Sequence, residues 1–297
     1  MGAFDIQVNG FAGVDFNADH LGDEEFSKVD AALDDCGVSG ILATVITADL
    51  KQMERRIQRL AQAPSTKIEG VHIEGPFLNP APGYIGAHPT EHAKQASVDD
   101  MKRLIDAGGG KVKLVTLAPE QDADLKVTKW LVAQGITVAA GHCDPSMDEL
   151  TAAADAGLSM FTHLGNGCPP QIHRHDNIIQ RVLSLSDRLW ICLIADGHHL
   201  PLFVLKNMIA VAGVERCIAT TDAMAAANAA PGIYPLAGQQ YEVGEDRVVR
   251  VPGTDQFAGS AATLVDLQRT LGEIGLSENE VQQLVESNPR SALARRN

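Results

Sequence analysis

Eight β-like runs recur along the chain with helix-period stretches between them, and this alternation limits the possible fold more than any other feature. The runs lie near residues 4–8, 40–46, 68–73, 112–117, 137–140, 159–162, 190–194 and 217–220. Between them, segments such as 24–35, 50–61, 98–107, 125–134 and 147–156 carry apolar residues at helical spacing and often end near a glycine. Strands that alternate with helices must return to the same edge by crossover, which makes a parallel sheet. Eight such units, in a chain of 297 residues, match the size of one closed (β/α)₈ TIM-like barrel. We therefore expect an α/β fold in which residues 1–297 form a single catalytic barrel domain. The tract 232–259 breaks the alternation with Gly, Pro and β-formers (Tyr241-Glu242-Val243, then Val248-Val249-Arg250-Val251), and it predicts a β-hairpin inserted after the eighth strand, overhanging the barrel mouth.

Composition excludes several functions. The hydrophobic share of 45% with only 4% aromatic residues and 27 glycines suits tightly packed helices over a parallel sheet better than a β-sandwich. A net charge of −14 and the lack of any basic run argue against nucleic acid, whose binding rests on phosphate neutralisation. Five scattered cysteines without a C-x-x-C pair argue against a disulfide framework and favour a reducing compartment. The start Met1-Gly2-Ala3-Phe4-Asp5 has no basic region followed by an apolar one, and no apolar run approaches a membrane span, so the expectation is a cytoplasmic protein with no membrane partner.

Chemistry gathers where the runs end. Asp5-Ile6-Gln7-Val8-Asn9-Gly10, His72-Ile73-Glu74-Gly75-Pro76, Gly141-His142, Thr162-His163-Leu164-Gly165-Asn166, Ala195-Asp196-Gly197-His198-His199 and Thr220-Thr221-Asp222-Ala223 each follow a β-like run. In a (β/α)₈ barrel the C-terminal strand ends carry the active site. Glu74, His142 and His163 then supply the two imidazoles and one carboxylate of a catalytic metal site. Asp222, on the last strand, is the natural proton carrier between an attacking water and a leaving group. Taken singly, each has a plainer reading: Glu74 as a turn carboxylate, Asp222 as a helix N-cap, Asn166-Gly167 and Asp196-Gly197 as simple turns. Their shared register outweighs those readings. His20 and His92 sit in polar, helix-flanking contexts and are expected to have no role, and Cys143, pointing away from the His142 face of its strand, is expected to pack in the core.

These motifs, together with Phe77-Leu78-Asn79, Gly86-Ala87-His88, Thr221-Asp222-Ala223 and Ala258-Gly259-Ser260-Ala261, closely resemble those of the N-acetylglucosamine-6-phosphate deacetylase family of the amidohydrolase superfamily, from residue 4 to residue 293. The resemblance implies metal-dependent hydrolysis of the acetamide of an N-acetyl amino sugar phosphate, releasing acetate and the amine. It implies metal ligation by Glu74, His142 and His163, acid/base work by Asp222, and substrate contacts by Ala87, His88, Asn166, Gly167, Arg174, His199 and the Phe257-Ala258-Gly259 loop; on the mechanism that follows, His88 is a candidate second donor to the developing oxyanion. It further implies a homodimer in which Arg174 reaches the neighbouring subunit's site to bind phosphate, as its planar fork suits. Zinc is the expected ion, with iron, manganese or cobalt as alternatives.

Three departures qualify the match. Gln7 and Asn9 stand where many amidohydrolases place a His-x-His pair for a second metal, so one ion is expected. Arg174 is kept inside an altered His173-Arg174-His175-Asp176-Asn177 loop, which leaves the sugar and its phosphate open. The chain begins on the first strand and runs out just after Leu293, so the family's small flanking β-domain is expected to be essentially absent. Two other readings stand beside this one. Another amidohydrolase reaction would need no anion-binding Arg174. A non-catalytic sugar-phosphate-binding relic would have no need of Glu74, His142, His163 and Asp222 together.

Overall fold

A computed structural model of the protein describes residues 2–253 and 257–294. Eight parallel strands form one sheet in sequential order: β1 (Ala3–Val8), β2 (Val38–Ile46), β3 (Ile68–Glu74), β4 (Val112–Leu117), β5 (Thr137–Ala140), β6 (Met160–Phe161), β7 (Trp190–Ile194) and β8 (Cys217–Thr220). Closure between β1 and β8 is made largely by a side chain. The buried Asp5 carboxylate accepts hydrogen bonds from Thr220 Oγ1 (2.5 Å), Thr221 Oγ1 (2.6 Å) and Thr221 N (3.1 Å), and a short parallel bridge pairs Val8 with Ala223.

The barrel interior changes character along its axis because alternate residues of each strand face inward. At the lower end Phe4, Ile6, Leu42, Leu114, Met160 and Ile218 form an apolar layer against Ala292. One layer higher lies a polar belt: His72 Nε2 meets Thr116 Oγ1 at 2.8 Å, and Thr116 Oγ1 meets Thr162 Oγ1 at 2.7 Å. Burial pushes the His72 imidazole down to about 4, so this ring is a neutral hydrogen-bonding node. Above it, the strand ends carry Glu74, His142, His163 and Asp222.

Helices α1 (Asp23–Asp35), α2 (Leu50–Ala61), α3 (Val98–Ala107), α4 (Lys126–Ala133), α5 (Met147–Asp155), α6 (Ile178–Leu183), α7 (Leu202–Ala212) and α8 (Leu264–Glu273) alternate with the strands, followed by the short α9 (Glu278–Gln282) and α10 (Asn288–Leu293). Their starts follow from capping chemistry: Ser146 and Glu149 cap α5 reciprocally, and Thr263 with Asp266 does the same for α8. In α2, Met53, Ile57 and Leu60 are buried at three- and four-residue spacing, which lays one face against the sheet.

The insertion differs from the expected hairpin. It is a three-stranded antiparallel sheet, β9 (Gly232–Leu236), β10 (Gln239–Val243) and β11 (Val249–Arg250), with residues 254–256 outside the described set. Leu236, Tyr241, Val243 and Val249 are buried in one cluster with Ile46, Met224, Ala258 and Ala261, so the insertion packs onto the barrel mouth. The sequence marks its second and third strands, at Tyr241-Glu242-Val243 and Val248-Val249-Arg250-Val251, whereas β9, which begins at Gly232 and contains Pro235, carries residues depleted in strands and is not marked.

Candidate active site

A cleft of about 610 Å³, counted to its open mouth, lies at the C-terminal end of the barrel. It brings together Glu74, Ala87, His88, His142, His163, Asn166, Gly167, His199, Asp222, Phe257, Ala258 and Gly259, every expected site residue but one. Arg174 is exposed on the loop between β6 and α6 and does not line the cleft of its own chain. Asp176, its near neighbour, is paired with Arg181 at 2.6 Å.

Glu74 ends β3, whereas His142, His163 and Asp222 each stand two residues past β5, β6 and β8. All three of the latter have left-handed backbone, with φ of 51°, 34° and 51°. Non-glycine residues are held there only when surrounding contacts over-determine them, and such strain collects at functional sites. Two glycines make room for the His142 ring. A Cβ on Gly167 would lie 2.8 Å from His142 Nδ1 and one on Gly86 3.1 Å from Cε1, and both glycines have positive φ.

Glu74, His142 and His163 converge so that one ligating atom from each lies within 4.8 Å of the others. His142 Nδ1 is 2.7 Å from the Tyr84 carbonyl oxygen, which can only accept, so Nδ1 carries the proton. The lone pair of neutral His142 is then on Nε2, and it faces Glu74 Oε1 at 3.4 Å. His163 Nε2 faces the same oxygen at 3.0 Å. A lone pair aimed at a carboxylate is repulsive unless a cation or a proton lies between them. This donor set therefore fits a divalent ion with nitrogen and oxygen preferences. Gln7 Nε2 donates to Glu74 Oε1 at 3.1 Å and holds that carboxylate from behind. Burial works to raise the Glu74 pKa, but the imidazoles of His142 and His163 facing it hold it well below the usual carboxylate range.

Two further groups face this cluster. His88 Nδ1 accepts from the Thr47 backbone N–H at 3.3 Å, which assigns the proton to Nε2, 3.7 Å from Glu74 Oε2. Burial, then the neighbouring His142, push its pKa down to about 3, so His88 is a neutral Nε2–H donor. Asp222 is shifted the other way, up to about 7, by burial and by repulsion from Glu74, against the opposing influence of His163 and His199 and a hydrogen bond from Asn9. A carboxyl that changes protonation near neutrality is suited to general acid–base work. On the far wall, His199 Nδ1 pairs with Asp196 Oδ2 at 2.7 Å, leaving its other nitrogen for the cleft.

Sequence reasoning did not single out Thr47, the Tyr84 carbonyl, or the hydrogen bond from Asn9 Nδ2 to Asp222 Oδ1 at 2.7 Å. Asp196 carried a signal in its motif, whereas a backbone carbonyl carries none. Cys143 is buried in the core as expected. Among the described residues, no helix is long and apolar enough to cross a membrane.

A parallel (β/α)₈ barrel with a buried Glu-His-His cluster, a neutral histidine donor and a near-neutral carboxyl at its C-terminal mouth defines a hydrolase of the amidohydrolase superfamily. No family model matches the chain. N-acetylgalactosamine-6-phosphate deacetylase of Escherichia coli O157:H7 is 30% identical over 295 residues, covering 97% of this chain and 76% of that protein. N-acetylglucosamine-6-phosphate deacetylase of Bacillus subtilis is 31% identical over 283 residues, covering 92% and 69%. The structure of N-acetyl-D-glucosamine-6-phosphate deacetylase from Mycobacterium smegmatis in complex with N-acetyl-D-glucosamine-6-phosphate superposes with a TM-score of 0.89 at 32% identity, covering 98% of this chain and 77% of that one. The chain belongs to the N-acetylglucosamine- and N-acetylgalactosamine-6-phosphate deacetylase family.

Proposed function

We propose that this protein hydrolyses the acetamide of N-acetylglucosamine-6-phosphate, or of its N-acetylgalactosamine counterpart, to acetate and the free amine. The observation that carries the reading is the meeting of Glu74, His142, His163, His88 and Asp222 in one cleft. Glu74, His142 and His163 would hold one divalent ion, zinc by donor preference, with iron, manganese or cobalt as alternatives. Bound there, the ion supplies Lewis acidity to the acetamide carbonyl and to the attacking water.

The remaining work falls to the chain's own residues. Asp222 accepts a proton from the attacking water and returns it to the nitrogen as the C–N bond breaks, so one carboxyl serves both halves of the reaction. His88, neutral and with its proton on Nε2, donates to the oxygen that gains charge in the tetrahedral state, and it needs no reorganisation because Thr47 already fixes its tautomer. Asn166 and His199 orient sugar hydroxyls. Ala87, Gly167 and the Phe257-Ala258-Gly259 loop wall the sugar, with Phe257 5.2 Å from the His199 ring.

Arg174, exposed and outside its own cleft, is assigned to the phosphate of a substrate bound in a second copy, which makes a homodimer the working unit. The barrel and its three-stranded insertion act as one catalytic unit. Five free cysteines support a reducing, cytoplasmic setting.

The test is acetate release by the purified protein from both phosphorylated sugars and from unphosphorylated N-acetylglucosamine, before and after chelation. Release from a phosphorylated substrate that stops on chelation and returns with metal is expected. No release from either phosphorylated sugar would overturn the reading.

A further inference from the structure

Asn9 follows β1 at the point where the barrel closes, and its backbone is held on both sides. Its N–H donates to the Ala223 carbonyl at 2.6 Å, and its own carbonyl accepts from Phe16 N at 2.9 Å. The side chain is 3% exposed, lines the cleft and donates through Nδ2 to Asp222 Oδ1 at 2.7 Å. In the ionised form that accepts the water's proton, Asp222 requires a donor at that distance, which orients the carboxamide: nitrogen toward Asp222, oxygen away from it. That oxygen, Oδ1, is buried and accepts no hydrogen bond among the described residues. An unpaired buried acceptor costs stability, and beside a binding cleft it calls for a partner such as a ligand donor or an ordered water.

We propose that Asn9 is a bifunctional residue of the reaction: Nδ2 orients the Asp222 carboxyl, and Oδ1 accepts the N–H of the scissile acetamide. The inference rests on the deacetylase reading for the identity of the substrate. Its chemistry adds no covalent step. Water oxygen bonds to the carbonyl carbon, the C–N bond breaks, and the nitrogen takes its proton from Asp222. Asn9 holds that nitrogen beside the carboxyl that must protonate it. A planar amide nitrogen is a poor base until its carbonyl carbon becomes tetrahedral, so fixing the nitrogen before its lone pair develops favours productive transfer. Gln7 performs the matching task on Glu74. The two amides at the end of β1 are thus pins for the two carboxyls of the site.

The experiment compares wild type with Asn9→Ala on two ligands that differ only at the scissile link: N-acetylglucosamine-6-phosphate and the glucose-6-phosphate analogue bearing an O-acetyl group at the same carbon, which has no N–H. Binding is measured by calorimetry on the metal-free proteins, so no turnover is needed. Asn9→Ala should bind the amide roughly two- to tenfold more weakly, the span of one neutral hydrogen bond, and the ester as wild type does. On the metal-loaded proteins, kcat for the amide should fall on the order of ten- to a hundredfold with equal metal content, because the carboxyl has lost its anchor. Equal weakening of amide and ester binding, or none, would overturn the N–H contact. Loss of bound metal in Asn9→Ala would overturn it differently, by making Oδ1 a ligand. If wild type releases no acetate yet the binding contrast is found, the deacetylase reading fails and the Asn9 contact stands.

Discussion

His142 donates its Nδ1 proton to the Tyr84 carbonyl at 2.7 Å, and this one bond sets the tautomer of a candidate metal ligand from a loop 58 residues away in sequence. Tyr84 is itself moored, since its hydroxyl donates to Asp144, which Arg181 holds at 2.8 Å. Outer partners of this kind tune affinity by orienting the ring that binds. Tyr84→Ala should keep the carbonyl but release its mooring, lowering metal affinity by up to about tenfold in a chelator competition while the fold is unchanged by circular dichroism. The wild type should hold one ion per chain by elemental analysis, because Glu74, His142 and His163 are the one cluster of ligand type among the described residues and Gln7 and Asn9 are engaged with Glu74 and Asp222. Two ions at full occupancy would contradict that assignment.

Asp222→Asn keeps the shape of the side chain and removes the group proposed to carry the proton. The variant should retain its metal and bind substrate within a fewfold of wild type, yet turn over at least about a hundredfold more slowly. Near-normal kcat would exclude Asp222 as the acid/base.

Much of this site was legible because strand ends in a barrel collect at one face, so six motifs in register pointed to one place. The identities of Glu74, His142, His163 and Asp222 followed from residue type and position alone. Their exposure to the cleft depends on positive φ at His142, His163 and Asp222, which no residue type announces. Gln7 and Asn9 were read as the absence of metal ligands. Their positive role, pinning Glu74 and Asp222, appears only once β1 is set beside β3 and β8. The donor state of His88 depends likewise on a backbone N–H from Thr47, 41 residues away. The insertion was legible as β-structure at its second and third strands, but β9, which carries Gly232 and Pro235, was not.

Asp15 offers a test of electrostatics outside the chemistry. It closes the ribbon formed by Gly10–Phe11 and Val14–Asp15, and it accepts from Asn17 N at 2.8 Å and Ala237 N at 2.9 Å, tying the insertion to the barrel mouth. Burial raises its pKa to about 6, against 3.8 for the free side chain. Below the unfolded value both states are protonated and the stabilising contribution is complete. It is lost as pH rises through the folded value, because the unfolded chain ionises first. The stability of Asp15→Asn relative to wild type should therefore improve between pH 4 and pH 7, by at most about 3 kcal/mol, read as the difference of two denaturation midpoints. A difference independent of pH would show that Asp15 ionises in the fold as freely as in water.

Arg174 stands outside the cleft of its own chain, so the phosphate contact proposed for it needs a second copy. Its neighbour Asp176 is engaged by Arg181, and the Arg174 side chain stands exposed outside the cleft. If it binds the phosphate of a substrate in a second copy, Arg174→Ala should lose about 1.5 to 3 kcal/mol of binding for the phosphorylated sugar, the range for hydrogen bonds to charged groups. The unphosphorylated sugar should hardly respond. Arg174→Lys should recover part of the loss, since a point charge keeps attraction without the fork. Mixing subunits separates service to a neighbour from service at home. A heterodimer of Arg174→Ala with Asp222→Asn contains one site with an intact Asp222 and an Arg174 supplied by the other chain, so activity should rise above that of either variant alone. If Arg174 served its own chain, both sites of the mixed dimer would remain defective and no rise would be seen. Equal weakening of phosphorylated and neutral sugars by Arg174→Ala would instead make the residue structural and remove the phosphate from the substrate.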